Sequence, residues 1–144
     1  MNNLLQWKKP NDIHKALNMK NIAVVGLSSN RRRDSNMVGN YLLENGYRVI
    51  PVNPNENKIF GLKSFPNLSD VPYQIDVVNV FRDSSAIPAI AQAAVSIGAK
   101  YLWLQYGVVN LAGIAIAERA GVTCIVDKCI KVEHESYLVQ QAPL

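Results

Sequence analysis

Apolar residues come in short unbroken runs, separated by longer stretches in which they recur every three or four positions. The runs are Ile22–Val25, closed by Gly26; Tyr47–Val52, closed by Asn53-Pro54; Ile75–Phe81; Tyr101–Leu104; and Val122–Val126. Runs this short, bounded by turn residues and rich in Val and Ile, predict strands buried on both faces. Between the first two, the spacing of Met37, Val38, Tyr41, Leu42 and Leu43 predicts a helix over 36–45, stopped by Gly46. Further helices are predicted from a Ser84 or Ser85 cap to Ile97, from an Asn110 cap to Ala120, and over Lys131–Val139. Residues 1–20 read as a leader helix, capped at Asn11 or Asp12 and running to about Met19. Residues 55–71 are dense in turn formers and predict irregular structure with one short helix near Leu68.

Strands alternating with helices predict an α/β fold: a doubly wound, Rossmann-like parallel sheet of about five strands, with right-handed crossovers and helices on both faces. All of 1–144 reads as one such domain. Sheets of this kind bind ligands beyond the carboxyl ends of their strands, where the strand order reverses. The loops 26–36, 53–56, 81–84, 105–109 and 127–134 each follow a strand, so one rim should carry them all.

Composition narrows the classes. A chain of 144 residues, 49% hydrophobic and 18% charged, has material for a full core and no long like-charge run, which argues against disorder. A net charge of +4 is too small to point to nucleic acid and suits a small anionic ligand. No apolar stretch approaches the roughly 20 residues of a membrane helix, and Met1–Lys20 has no run of signal-peptide length. Cys124 and Cys129 form no disulfide framework, so the expected setting is a reduced cytoplasm. Tyr101 and Trp103 are candidates for a homodimer surface.

The chemistry concentrates in the first loop, Gly26 to Asn36. Gly26 permits a sharp turn and close approach of a ligand to the backbone; valine there is expected to block the ligand and leave the fold intact. The helix start at Asn36, Met37 and Val38 offers unpaired N–H groups and a positive dipole end. Arg31, Arg32 and Arg33 supply charge and bidentate donors for phosphate. The plain alternative is a solvated basic turn before a capped helix. The loop lacks the second and third glycines of a dinucleotide fingerprint, having Ser28 and Arg31 instead, and the second strand ends in Asn53-Pro54 rather than an acid. No Walker loop exists. NADP stays open, because the arginines can meet its additional phosphate.

Cys129 and His134 have the types of a nucleophile and a base, with Asp127 and Glu133 beside them. Two further metal ligands are not apparent nearby, and adjacent Glu133 and His134 point apart on a helix. The favoured reading packs Cys129 near the rim, lets His134 and the acids tie down the last helix, and assigns no catalytic residue.

Taken together, Val25-Gly26-Leu27-Ser28, Arg33-Asp34-Ser35-Asn36, Gly46 through Pro54, Asp76 through Arg82, Trp103 through Gly107 and Asp127 through His134 resemble the stand-alone CoA-binding domain family. The family's fold is similar to the N-terminal CoA-binding domain of the succinyl-CoA synthetase alpha subunit. The resemblance implies coenzyme A on the strand-end rim. Gly26, Ser28, Ser29 and the helix start at Asn36, Met37 and Val38 would hold the phosphates, with Arg33 near one of them. Asn53 and Pro54 would line the adenosine side, and Phe81 and Arg82 would flank the ligand. Read locally, Asn53-Pro54 is equally a turn, Phe81 equally core, and Arg82-Asp83 a surface ion pair. The chain departs from the family at Asp34 and Ile130, where proline is more usual. The expected function is binding of CoA or an acyl-CoA, without catalysis. The alternatives are a small NADP-dependent or CoA-thioester-processing enzyme using Cys129 and His134, and an interaction subunit docked on an acyl-CoA enzyme.

Overall fold

A computed structural model describes residues 4–143. Five parallel strands form the sheet: β1 (Asn21–Val25), β2 (Arg48–Val52), β5 (Val77–Val80), β6 (Tyr101–Leu104) and β7 (Thr123–Val126), in the order β2-β1-β5-β6-β7. From β1 the chain steps outward to β2, then returns past β1 to β5. The order therefore reverses between β1 and β5, and the crevice opens at their carboxyl ends. Register is tight there, with Val25 opposite Val52 on one side and Val80 on the other.

Alternation along each strand divides the core in two. Ala23 and Val25 face one side with Val78, Val80, Leu102 and Leu104, beneath α3 (Ile87–Ser96) and α4 (Leu111–Arg119). Ile22 and Val24 face the other with Val77, Trp103 and Ile125, beneath α1 (Pro10–Leu17), α2 (Asp34–Glu44) and α5 (Ile130–Gln141). Burial on both faces is why the strands carry no polar alternation.

Several boundaries differ from expectation, each for a local reason. The leader is a 3-10 turn at Leu4–Trp7 followed by α1, which begins at Pro10 after Lys9 rather than at an Asn11 or Asp12 cap. Proline fits a first helical position because its missing N–H has no partner there anyway; residues 1–3 and 144 lie outside the described residues. Helix α2 starts two residues early, at Asp34. Ser84 does not cap α3; its hydroxyl accepts from the Val109 N–H (3.0 Å), and a 3-10 turn at Ser84–Ala86 precedes the helix. Asn110 caps α4 as expected, accepting from the Gly113 N–H at 2.9 Å.

The stretch taken as irregular holds a hairpin, β3 (Lys58–Ile59) with β4 (Leu62–Lys63), as well as a 3-10 turn at Leu68–Asp70. Phe60 and Gly61 both take positive φ (57° and 72°), the signature of a tight primed hairpin turn. Strands of two residues carry no readable periodicity. Tyr101 and Trp103 are no dimer surface: both are buried in the core, and Trp103 Nε1 donates to the Lys128 carbonyl at 2.9 Å.

His134 is buried near the start of α5. Its Nδ1 and the Tyr41 hydroxyl share a hydrogen bond of 2.7 Å, and both Tyr41 and Tyr47 meet its ring edge-on. Burial lowers its pKa from 6.5, against a smaller upward push from Glu135. The unfolded chain therefore takes up a proton that the fold refuses, so this stability is complete above the unfolded value and is lost as pH falls from there through the lower folded value. The thermal midpoint should drop as pH falls from about 7.5 to 5.5, and His134→Gln should flatten that slope. Thermal melts across this range check it, an equal slope in both proteins being the contrary result.

Candidate functional site

The crevice is built by backbone before any side chain enters it. The Gly26 N–H donates to the Val52 carbonyl (2.9 Å), and the Phe81 N–H donates to the Val25 carbonyl (2.8 Å). Gly26 turns with φ +88°, and a Cβ there would lie 2.5 Å from the Phe81 carbonyl oxygen and 3.1 Å from the Arg82 side chain. The glycine thus serves the approach of two strand ends first. The expectation that valine at 26 spares the fold is corrected by this contact.

From Leu27 to Asn36 the loop is cross-tied. The Ser28 N–H donates to Ser35 Oγ (3.0 Å), Asn36 Nδ2 donates to the Ser28 carbonyl (2.8 Å), and Ser28 Oγ accepts from the Asn30 N–H (3.0 Å). Asn53 reaches from the end of β2, its Nδ2 donating to the Leu27 carbonyl (2.9 Å) while its Oδ1 accepts from the Asn55 N–H (2.9 Å). The Ser29 N–H donates to a Glu56 carboxylate oxygen at 2.9 Å. Helix α2 begins without a side-chain cap, since Arg33 stands at its N-cap position. The unpaired donors expected at Asn36 and Met37 are corrected: both N–H groups donate to the Arg33 carbonyl (3.1 and 3.2 Å), so with the helix starting at Asp34 the groups left to face the loop at its positive dipole end are those of Asp34 and Ser35.

Four cavities follow the rim. One of about 350 Å³ gathers Gly26, Ser28, Arg33, Asp34, Ser35 and Phe81. A second, about 280 Å³, lies toward β2 and is lined by Val25, Val52, Pro54, Leu68, Arg82 and Ala93 among others. A third, about 510 Å³, extends toward β6 and β7 past Met37, Val38, Phe81, Arg82, Gln105 and Cys129. Phe81 joins the first to the third, and Arg82 joins the second to the third. Behind the loop, a fourth, of about 520 Å³, collects Ser29, Asn36 and Met37 with Arg31, Lys58 and Phe60.

The expected residues thus split. Gly26, Ser28, Arg33, Phe81, Arg82, Pro54, Met37 and Val38 line the connected crevice. Ser29 and Asn36 line the cavity behind the loop, and Asn53 works as a strut. Sequence reasoning left out Ser35, Glu56, Tyr106, Lys131 and Val132 as site residues, and gave Gln105 no role. Gln105 follows β6 just as Phe81 follows β5, so the strand-end rule already pointed to it.

Cys129 and His134 are not brought together. Cys129 is the N-cap of α5 and lines the third cavity, whereas His134 is committed to Tyr41. Asp127 accepts from the Gly107 N–H (2.8 Å) and pairs with Lys8 (3.4 Å), and Glu133 pairs with Lys128 at 3.7 Å. The acids are thus bound up in holding loops. At the cavity mouth, burial, then Cys129, Glu133 and Asp127, push the Tyr106 hydroxyl pKa up, so it stays protonated and able to donate.

Residues 20–135 match the model of the CoA binding domain. The chain belongs to this family. It is 41% identical over 115 residues to uncharacterized protein YneT of Bacillus subtilis strain 168, covering 80% of this chain and 85% of YneT. It is 32% identical over 84 residues to acetate–CoA ligase [ADP-forming] II of Archaeoglobus fulgidus, covering 56% of this chain but only 12% of the ligase. Among solved structures, a hypothetical protein from Pyrococcus horikoshii OT3 superposes with a TM-score of 0.90 at 35% identity, covering 96% of this chain and 98% of that one. The five-stranded parallel α/β architecture is thus shared with that solved structure, and CoA is the ligand consistent with the family membership.

For this CoA-binding domain, Gly26→Ala combines a left-handed backbone penalty with contact against a carbonyl that cannot move alone. It should cost at least about 2 kcal/mol of stability, read by urea unfolding, with a midpoint shift at unchanged slope. A cost under about 0.5 kcal/mol would mean that the strand ends can part freely.

Proposed function

We propose that the protein binds CoA or an acyl-CoA along the connected crevice and performs no reaction of its own. One observation carries this reading: the uncapped start of α2, with Arg33 beside it, opens on the cavity at the point where the sheet order reverses. Unpaired N–H groups, a dipole end and a guanidinium favour phosphate together. In this reading Gly26, Ser28, Ser35 and Arg33 surround the phosphates. Pro54 and Arg82, with the apolar wall of Val25, Leu68 and Ala93, take the adenosine side, and the larger cavity past Phe81 takes the remainder of the ligand. Ser29, Asn36 and Asn53 keep the loop in shape, and Ser29 joins the phosphate set when Glu56 gives way.

The separation of Cys129 from His134 weighs against thioester processing, and the missing dinucleotide glycines weigh against NADP. The exposed Met37, Tyr106 and Val132 at the cavity mouth are where an acyl-CoA enzyme or a second copy would dock. No helix among the described residues is long and apolar enough to cross a membrane. With both cysteines free, we place the protein in a reducing cytoplasm.

Isothermal titration with CoA, NADPH and ATP in parallel tests the proposal. CoA should bind and the other two should not, and Arg33→Ala should weaken CoA about tenfold or more by removing a charge-assisted phosphate contact. Binding of NADPH in place of CoA would overturn it. Glu56 supplies a second test, because its carboxylate occupies a donor that phosphate would use. Glu56→Gln should strengthen CoA binding severalfold in the same titration, and an unchanged affinity would remove Ser29 from the phosphate set.

A further inference from the structure

The two cysteines are both free thiols, but they sit in opposite layers of the core and differ in what reaches them. Cys124 is 3% exposed, and burial, with a smaller push from Glu118, drives its thiol up to about 12. Cys129 is 7% exposed, stands at the N-cap of α5 and lines the cavity of about 510 Å³. A thiol so covered is poorly accessible to disulfides arriving from solution. It meets best a sulfur that a ligand seated in the cavity carries to it.

The cavity connects this thiol to the start of α2. Asp34, Met37 and Val38 line it on one side, Cys129 and Lys131 on the other, and Phe81 joins it to the cavity holding Ser28 and Arg33. Its charged lining, Asp34 and Asp83 against Arg82 and Lys131, is balanced in sign and favours neither an anion nor a cation. A second feature shows that the fold leaves this cavity incomplete. Gln105 lines it while only 5% exposed. Its Oε1 accepts from the Ile130 N–H (3.2 Å) and from Asn79 Nδ2 (3.1 Å), whereas its Nε2 has no partner among the described residues. Polar groups at such depth are seldom left unmade, so the cavity is shaped for a polar occupant.

Length decides what can bridge the two ends. From β1 to β7 is three strand spacings, roughly 14 Å. An extended pantetheine arm spans about four residues' worth of chain, again roughly 14 Å. A CoA whose diphosphate sits at the start of α2 thus brings its sulfur to the start of α5.

We infer that Cys129 is a modification site, captured by CoA as a mixed disulfide. This rests on the proposed CoA reading and adds a covalent step to it. The Cys129 thiolate attacks one sulfur of CoA disulfide. A bond forms between Sγ and that sulfur, and the sulfur–sulfur bond of the reagent breaks. The second CoA leaves as a thiolate and takes up the proton that Cys129 gave up. Cys129 is oxidised and the departing CoA is reduced, and excess free thiol reverses the exchange. His134 takes no part, being bonded to Tyr41.

The test treats the reduced protein with CoA disulfide and, separately, with glutathione disulfide, followed by intact mass and peptide mapping. CoA disulfide should add the mass of one CoA less a hydrogen molecule, at Cys129. It should do so about tenfold or more faster than glutathione disulfide reacts there, because seating raises the local concentration. Excess 3′-phosphoadenosine 5′-diphosphate, which competes for the phosphate end, should slow the CoA reaction toward the glutathione rate. In urea, where no cavity exists, the two reagents should modify both cysteines at similar rates. No adduct at Cys129, an adduct mainly at Cys124, equal native rates, or no slowing by the nucleotide overturns the inference. Calorimetry on the same protein separates the two levels. If CoA binds there, the CoA reading stands without the covalent step; if it does not, both fall. Mapping assigns the site in the wild type, so no variant has to fold.

Discussion

At the ends of β1 and β5 the chain comes so close to itself that a methyl group at position 26 would lie 2.5 Å from the Phe81 carbonyl oxygen. Everything on the rim is arranged around that approach. It brings the loop after β1 and the loop after β5 to either side of one crevice, and it makes Phe81 and Arg82 common walls of neighbouring cavities. A side chain at 26 would separate the two strand ends and displace these walls. Glycine is required there for backbone packing as much as for any ligand.

Around this contact the loop is ordered by its own short polar side chains. Ser28, Asn30, Ser35, Asn36 and Asn53 satisfy one another and the local backbone, so little freedom remains to be lost when something binds. The charges are arranged differently. The arginines are exposed just before α2, with Arg33 at its N-cap, while Asp34 and Glu56 bring negative charge to the same region. Attraction for an anion is thus balanced against competition from the protein's own carboxylates.

The opposite end of the rim is quieter. Residues that look reactive in sequence are occupied with holding the fold: His134 with Tyr41, Asp127 with Gly107 and Lys8, Glu133 with Lys128. What remains is the polar chain from Ile130 through Gln105 to Asn79, which ties the end of β6 to β5 and to the start of α5.

The sequence by itself determined the layered α/β fold, the five main strands and the rim that collects the loops. Runs of four to seven residues, rich in Val and Ile and bounded by turn residues, are too short for buried helices and read as strands buried on both faces, and the helices between them favour parallel pairing. The Asn110 cap was legible for the same reason, a local hydrogen bond between residues three apart. The hairpin at Lys58–Lys63 was not, because two-residue strands leave no period to read. Nor could spacing show that Ser84 serves Val109 rather than its own helix, or that Glu56 reaches Ser29. These depend on which strand ends become neighbours. That order, β2-β1-β5-β6-β7, was decided only when the sheet was assembled, because parallel pairing through long crossovers joins residues whose sequence separation carries no local signal.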